Sequence, residues 1–299
     1  MIFSRAGRFS LAAFVLIIWG GVSSIDADAA SVTAVPFETI KGAQDVIAPH
    51  RAIYDIKMTS MKRGSQILGV SGTMMYTLKS VCGGWITDHR FNMVYEYSSA
   101  PSVRVETKFS SFESFAGDHL DFSSSRSRDG EIYEKIRGKA VLDLAQGAKG
   151  SADYSIPAET HYDLGEGTLF PLAHTYSLIS EAQRGKKIVH AIVFDGSDDQ
   201  GAVEINAVIG KKIAPKNASD MKQSSGAEKI DSSLTDYPAW TMGLAVFPLN
   251  KVDSVADYEL SMDVLENGIV REMKVDYHDF SISQKLIALE KTSLDTCKE

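Results

Sequence analysis

From Arg51 onward, hydrophobic and polar residues alternate with a period of two over most of the chain. The clearest run places Trp85, Thr87, His89, Phe91, Met93, Tyr95 and Tyr97 on one face. Asp88, Arg90, Asn92 and Glu96 fall on the other face. Such alternation predicts a β-strand with one face in a core and the other towards solvent.

Comparable runs predict roughly twelve strands. They cover residues 51–58, 68–78, 85–97, 103–109, 120–125, 131–136, 139–144, 187–194, 202–210, 239–247, 258–277 as a hairpin, and 280–289. Short polar turns join most of them, which is typical of antiparallel strands. In the hairpin, Asn267-Gly268 predicts a two-residue type I′ turn. That register pairs Met262 with Met273, Leu260 with Val275 and Tyr258 with Tyr277.

Helical periodicity is confined to two segments. The longer runs from Thr168 to Arg184, with Pro171 suited to its first turn and Gly185 to its end. Its apolar side carries Leu169, Leu172, Tyr176 and Ile179, and its polar side carries His174, Ser177, Glu181 and Arg184. A minor helix is expected within 36–46. Residues 211–235 are polar, and we interpret them as a flexible loop.

The N-terminus has the pattern of an export signal. Arg5 and Arg8 precede an apolar run, and Ala27-Asp28-Ala29 provides a small-x-small cleavage site. We therefore expect a signal peptide over 1–29 and a single β-rich periplasmic domain over 30–299. An uncleaved anchor is the alternative, but the apolar run is shorter than the approximately 20 residues needed to span a bilayer. No transmembrane segment is expected in the mature chain.

Charge and cysteine content narrow the class of protein. The 299-residue chain has a formal net charge of −8, which argues against nucleic-acid binding. Its only two cysteines are Cys82 and Cys297. In an exported protein such a pair favours a disulfide over a metal site, which needs further clustered ligands. Two unpaired thiols are the alternative.

Motifs for catalysis or metal binding are incomplete. Gly69-Val70-Ser71-Gly72 lacks the final glycine of a nucleophile elbow and lies within a strand pattern. The acidic segment Asp195–Gly201 lacks the spacing of an EF-hand loop and is better interpreted as a hairpin turn. No two histidines have the i, i+4 spacing of a helical zinc site. We expect no catalytic residue, metal or cofactor.

A sheet of this length must close, split or curl. We expect a large curled antiparallel sheet, a spiral or open barrel, with one or two helices. Its concave face would carry candidate ligand contacts, Trp85, His89, Phe91, Met93 and Tyr95. An aromatic and methionine-containing face of this kind suits a lipid or acyl chain. The alternative is a solid core in which these side chains pack against each other.

Several segments, taken in order, resemble one family. They are His50-Arg51-Ala52-x-Tyr54, Gly69-x-x-Gly72-x-Met74-x-Tyr76, Cys82-x-Gly84-Trp85, His89-Arg90, Thr168-Leu169-Phe170-Pro171-x-x-His174, Phe194-Asp195-Gly196 and Cys297. In their order and spacing they resemble the EipB family of cell-envelope integrity proteins.

The resemblance implies a spiral-like β-sheet, similar to the periplasmic lipoprotein carriers, and a Cys82–Cys297 disulfide. It also implies a role in envelope integrity and envelope-stress resistance without an established enzymatic activity. The expected partner is an envelope protein or a lipid-like ligand on the concave face. A periplasmic hydrolase with a dispersed active site is the alternative. Because Cys82 precedes the most aromatic strand and Cys297 follows the last one, we expect the disulfide to clasp the two ends of the sheet.

Overall fold

Sixteen strands form one sheet in the computed structural model, which describes residues 42–158, 160–215, 229–249 and 255–292. The strands are β1 His50–Met61, β2 Ile67–Val81, β3 Gly84–Tyr97, β4 Val103–Ser114, β5 His119–Arg128, β6 Glu131–Asp143, β7 Lys149–Ile156, β8 Thr160–Leu164, β9 Thr168–Leu169, β10 Ile188–Val193, β11 Val203–Ile213, β12 Lys229–Ile230, β13 Ala239–Pro248, β14 Tyr258–Leu265, β15 Val270–Asp276 and β16 Phe280–Lys291. Two α-helices accompany them, α1 Ala43–Val46 and α2 Pro171–Gln183.

The strand order places the first and last strands side by side in the middle of the sheet. Its path runs β8-β7-β6-β5-β4-β3-β2-β1-β16-β15-β14-β13-β11-β10-β9, and β12 pairs with β16 outside this path. Strands β1 and β16 are antiparallel, from His50 opposite Lys291 to Met61 opposite Phe280. Within the described residues only the β9–β10 and β12–β16 pairs are parallel. The expected mainly antiparallel sheet is confirmed.

The two edges of the sheet, β8 and β9, are consecutive in the chain. Only residues 165–167 separate Leu164 from Thr168, so the sheet curls into a nearly closed, barrel-like form. The expectation that a cysteine pair clasps the ends of the sheet is therefore wrong. Cys82 lies in the turn between β2 and β3, and β16 is the strand that leads to the C-terminus. Strands β2, β3 and β16 all lie in the middle of the strand order, away from the edges.

The region from β5 to β8 departs most from the predicted strands. Residues 131–143 form one strand where two were expected, and β7 and β8 were not expected at all. Gly138 keeps β6 continuous, because its missing side chain leaves room for the ring of Phe122 on β5. Strand β7 contains Gly150, Ala152 and two serines. Small and polar residues on both faces leave little alternation to detect.

The β14–β15 hairpin has the predicted register but not the predicted turn. Met262 lies opposite Met273, and Leu260 lies opposite Val275. Gly268 has a φ of +84°, whereas Asn267 is not in the left-handed region that a type I′ turn requires at both positions. The Gly268 N–H donates to the Leu265 carbonyl, and the Leu265 N–H donates to the Ile269 carbonyl. This is a type I turn with a glycine bulge.

Helix α2 lies against the inner face of the sheet, and the amphipathic interpretation of it is wrong. Its predicted polar side is buried at His174, Ser177 and Glu181 as fully as its apolar side. Leu178 and Ile179 pack with the inner residues of β10, β11 and β13. A helix enclosed by a curled sheet has no solvent-facing side, and its few charged groups therefore need partners.

Glu181 has such partners. Its carboxylate is 2.8 Å from an Arg184 guanidinium nitrogen and 3.3 Å from Lys186 Nζ. Both cations lie in the turn that follows the helix, where the C-terminus of the dipole also favours positive charge. The burial of an acidic residue in the last turn of α2 is therefore compensated locally.

Several predictions lie outside the described residues. They are the signal peptide, the greater part of the minor helix, Cys297 and residues 216–228 of the polar segment. The described flanks of that segment belong to strands β11 and β12 and to a 3-10 turn at Ser232–Leu234. Cys82 is not a free thiol, and Gly83 beside it has a positive φ, +83°, in the turn between β2 and β3. In the described part of the chain, no helix is long and apolar enough to cross a membrane.

A candidate ligand cavity

A cavity of about 310 Å³ lies between α2 and the inner face of the sheet. Met242, Met262 and Met273 stand directly opposite one another on β13, β14 and β15, and all three line it. Met74 joins them from β2, and aliphatic residues of β11, β13 and β14 complete this wall. Methionine side chains are flexible and polarisable, so such a wall adapts to apolar groups of different shape.

Another part of the lining is polar and aromatic. His50 on β1, Tyr76 on β2 and His89 on β3 form a row in which ring centroids lie 5.1 Å and 4.8 Å apart. His174, from the first turn of α2, lines the same space. We call His50, His89 and His174 the cavity histidines. The lining of the cavity is therefore amphipathic, because it combines imidazole groups with methionine and aliphatic groups.

The cavity histidines are uncharged at neutral pH. Burial lowers the pKa of each to about 4 from an ordinary value of 6.5. A hydrogen bond to the Ala48 carbonyl opposes this shift at His50, and the nearby Asp88 opposes it at His89. A neutral imidazole has one donor and one acceptor nitrogen, so these residues can hydrogen-bond a ligand without adding charge.

Two imidazole nitrogens in the cavity have no hydrogen-bond partner among the described residues. They are the Nε2 atoms of His50 and His174. His50 is only 2% exposed and His174 only 7%. A buried polar atom without a partner costs about 1–3 kcal/mol, so both atoms single out this part of the lining.

A buried glutamate holds the helix that carries His174. The carboxylate of Glu113, on β4, accepts hydrogen bonds from the backbone N–H groups of Leu172 at 2.8 Å and Ala173 at 2.9 Å. The N-cap residue of α2, Phe170, makes no side-chain capping bond. Burial raises the pKa of Glu113 to about 7, and the two backbone hydrogen bonds oppose that shift. Glu113 therefore replaces the missing cap from a distant strand.

Of the five predicted concave-face contacts, only His89 lines the cavity. Trp85 is fully buried beneath α2, with its ring against Phe115 at 4.6 Å. Met93 belongs to the main core, and Phe91 and Tyr95 pack against that core. The prediction placed all five on the correct face of β3. The position of α2 decides which part of that face stays open.

Sequence reasoning missed His50, His174 and Glu113 as site residues. Glu113 continues the inward-facing positions of β4 that begin at Val103, and this was the one available signal. His50, at the start of β1, and His174, on the predicted polar side of the helix, were noted only within the segments that resemble the family, without a role in a site.

Of the other candidate motifs, only the acidic segment reaches the cavity, through Asp195. Ser71 is exposed on β2. The acidic segment 195–201 connects β10 to β11, and carbonyls of Asp198 and Asp199 accept hydrogen bonds from Tyr154 and Tyr162. Over the ranges that the structure describes, no group of three or more His, Cys, Asp or Glu side chains is arranged to hold a metal ion.

The nearly closed antiparallel sheet, with a helix and a cavity against its inner face, defines a barrel-like β protein. The EipB-like family matches residues 41–293, and the chain belongs to that family.

Two relatives support the assignment. The chain is 30% identical over 247 residues to the cell envelope integrity protein EipB of Brucella abortus (strain 2308), covering 82% of this chain and 84% of that protein. A crystal structure of a beta-barrel-like protein of a domain of unknown function from Brucella abortus is similar, with a TM-score of 0.73 and 29% identity. That match covers 83% of this chain and 99% of the other. The family resemblance noted from the sequence is confirmed.

Proposed function

We propose that this protein acts in the periplasm, after removal of residues 1–29, and supports cell-envelope integrity and stress resistance by holding an apolar or lipid-like ligand. The observation that carries the proposal is the cavity of about 310 Å³ with its row of three methionines. Small-molecule sites typically measure about 300–1,000 Å³, so the cavity lies at the lower end of that range. The integrity role itself comes from the Brucella relative.

The volume limits the ligand to a single short chain or to one end of a longer chain. An engineered apolar cavity of about 150 Å³ binds benzene. A cavity twice that size accommodates roughly ten carbon atoms by the same measure. A longer acyl chain would extend out of the cavity or require α2 to move.

Native mass spectrometry and lipid extraction of protein purified from the periplasm test this proposal, together with uptake of a neutral fluorescent fatty alcohol. Leu244→Trp fills the cavity from β13, where Leu244 is 5% exposed, and we expect it to abolish uptake. Val208→Trp is the matched control, because Val208 lies opposite the neighbouring Gly243 and is 60% exposed. Consistently empty wild-type protein that takes up no fatty alcohol contradicts the proposal.

We also propose the Cys82–Cys297 disulfide. The last described residue, Thr292, donates a hydrogen bond of 2.7 Å to the carbonyl of Leu78, which precedes Cys82 on β2 by four positions. Five further residues lead to Cys297 and can span about 17 Å when extended. The bond would fasten the C-terminal segment to the strand pair beside it, and not the edges of the sheet.

Two other functions have weaker support. An envelope protein partner could act at the surface, and a crosslinking pull-down from cells would separate this case from a ligand carrier. The hydrolase alternative gains from His89, His174 and Asp195 lining one cavity. However, the described residues that line it include no serine or cysteine, and its aliphatic hydroxyl nucleophiles are limited to Thr87 and Thr175. The Thr175 hydroxyl already donates to the Pro171 carbonyl at 2.9 Å.

A further inference from the structure

His50 is held in one tautomer by its backbone neighbour. Its Nδ1 lies 2.7 Å from the Ala48 carbonyl oxygen. A carbonyl oxygen only accepts, so Nδ1 must carry the proton. In the neutral ring the other nitrogen, Nε2, is then an acceptor. The hydrogen-bond requirement of this buried atom is thus defined: it needs a donor.

The described neighbours of His50 supply no such donor. Nε2 of His50 has no hydrogen-bond partner among the described residues, although the residue is only 2% exposed. The hydroxyl of Tyr54, two positions along β1, already donates to the Val270 carbonyl at 2.9 Å. His50 lines the cavity, and this nitrogen, without a partner in the described part of the chain, is the buried polar atom that it brings to the lining.

We propose that the cavity binds a neutral single-chain amphiphile whose head carries an O–H or N–H donor for His50 Nε2, while its chain packs against Met242, Met262 and Met273. This inference rests on the proposed function and adds the chemistry of the head group. A hydroxyl head suits the site, because it can donate to His50 and accept from a neighbouring imidazole. A carboxylate does not, because it offers only acceptors to an acceptor nitrogen and loses its hydration.

The polarity of the lining supports the same orientation. The imidazole and phenol rings come from β1 to β3, and the methionine row comes from β13 to β15. An alkane would leave the His50 acceptor unpaired. A chain with a hydroxyl at one end satisfies both the polar and the apolar groups of the lining. His174 Nε2, which also lacks a partner among the described residues, is available to the same head group.

Calorimetric titration with three matched probes tests the inference: 1-octanol, octyl methyl ether and octanoate at pH 8. The alcohol and the ether have the same chain and an oxygen acceptor, but only the alcohol has a donor. We expect wild-type protein to bind 1-octanol about tenfold more tightly than the ether, as one hydrogen bond allows. Octanoate should bind most weakly of the three.

Substitution of His50 identifies the acceptor. In His50→Phe, which keeps a planar ring but removes Nε2, the alcohol and the ether should bind equally. His161→Phe is the matched control, since His161 is half-exposed on β8 and paired with Asp153 and Asp163. It should retain the tenfold preference. Should His50→Phe fail to fold, the ¹⁵N resonance of His50 Nε2 in wild-type protein gives the same information. That resonance should shift with 1-octanol and not with the ether.

The outcomes separate the two proposals. Equal binding of alcohol and ether by wild-type protein, or a preference that survives in His50→Phe, overturns the donor inference and leaves the apolar cavity proposal standing. Binding of neither probe overturns both. Tighter binding of octanoate than of 1-octanol would show that the head group is recognised as an anion, and the inference would be wrong.

Discussion

Glu113 offers the sharpest test of how the cavity is held together. Replacing it by Leu keeps a side chain of similar volume but removes the acceptor for the Leu172 and Ala173 N–H groups. Each buried donor left without a partner costs about 1–3 kcal/mol, so the pair costs about 2–6 kcal/mol. This is a large share of the 5–15 kcal/mol typical of a folded domain. We therefore expect a large loss of stability at pH 8.

The effect of the substitution should depend on pH in a defined direction. The folded-state pKa of Glu113, about 7, lies above its ordinary value of 4.5. The stabilising contribution of such a group is complete below pH 4.5 and is lost as the pH rises through 7. A leucine at this position does not titrate, so it adds no pH dependence to the stability. The contributions of all other groups are the same in wild-type protein and in Glu113→Leu, and they cancel in the difference. The difference in unfolding free energy should therefore be about 1 kcal/mol larger at pH 6 than at pH 8.

Urea denaturation followed by far-ultraviolet circular dichroism measures the loss of stability in Glu113→Leu at pH 8 and its change between pH 8 and pH 6. Glu106→Leu is the matched control, because Glu106 points to the outer face of the same strand, opposite Asn92 and Ser127. It should change stability by less than about 0.5 kcal/mol. If Glu113→Leu unfolds within 0.5 kcal/mol of wild-type protein at both pH values, then Glu113 does not cap α2 in solution. A difference in unfolding free energy between wild-type protein and Glu113→Leu that is smaller at pH 6 than at pH 8 would show that the pKa of Glu113 is not raised.

Three further predictions concern the rest of the molecule. Cys82→Ser and Cys297→Ser should each lower the Tm, because loss of a disulfide that closes so long a loop reduces the free energy of unfolding by up to about 5 kcal/mol. The double variant should be no less stable than either single variant. Equal thiol labelling of native and reduced protein would show that the bond is absent. Gly150→Ala should destabilise the fold by more than about 1 kcal/mol, because a Cβ there meets the Val141 carbonyl. Gly165→Ala is the control, since open space surrounds Gly165 and the Tm should not change. Equal Tm values for the two variants would contradict this packing. The cavity histidines remain neutral in the fold down to about pH 4, but the unfolded chain takes up protons near pH 6.5, so stability should fall as the pH drops through this window. Between pH 7.5 and 5.5 the cavity histidines account for a loss of about 4 kcal/mol and protonation of Glu113 restores about 2. The raised pKa of the exposed His161 also acts against the loss, so the measurement is made on His161→Phe protein, in which a urea midpoint that does not fall would refute the burial of the cavity histidines.

Local pattern predicted the strands whose two faces differ. In β1 the buried residues Ala52, Tyr54 and Ile56 alternate with more exposed ones, as the period of two required. The β14–β15 register also followed from the sequence, since a slip of one residue would turn every apolar side chain outward. Strand β7 escaped detection, because its glycine, alanine and serines carry little difference between faces. Its place is determined by pairing with β6 and β8.

The sequence by itself determined the class of sheet, the inward face of β3 and the family. Only the tertiary structure decided that α2 lies within the curl, that Glu113 caps it from 59 positions away, and that His50, His89 and His174 share one cavity. The physical reason is the range of the forces involved. Alternation reflects burial of one face of a single strand, which neighbouring residues specify. A cavity is the space that remains after distant strands and a helix have packed, so it is a property of their joint arrangement.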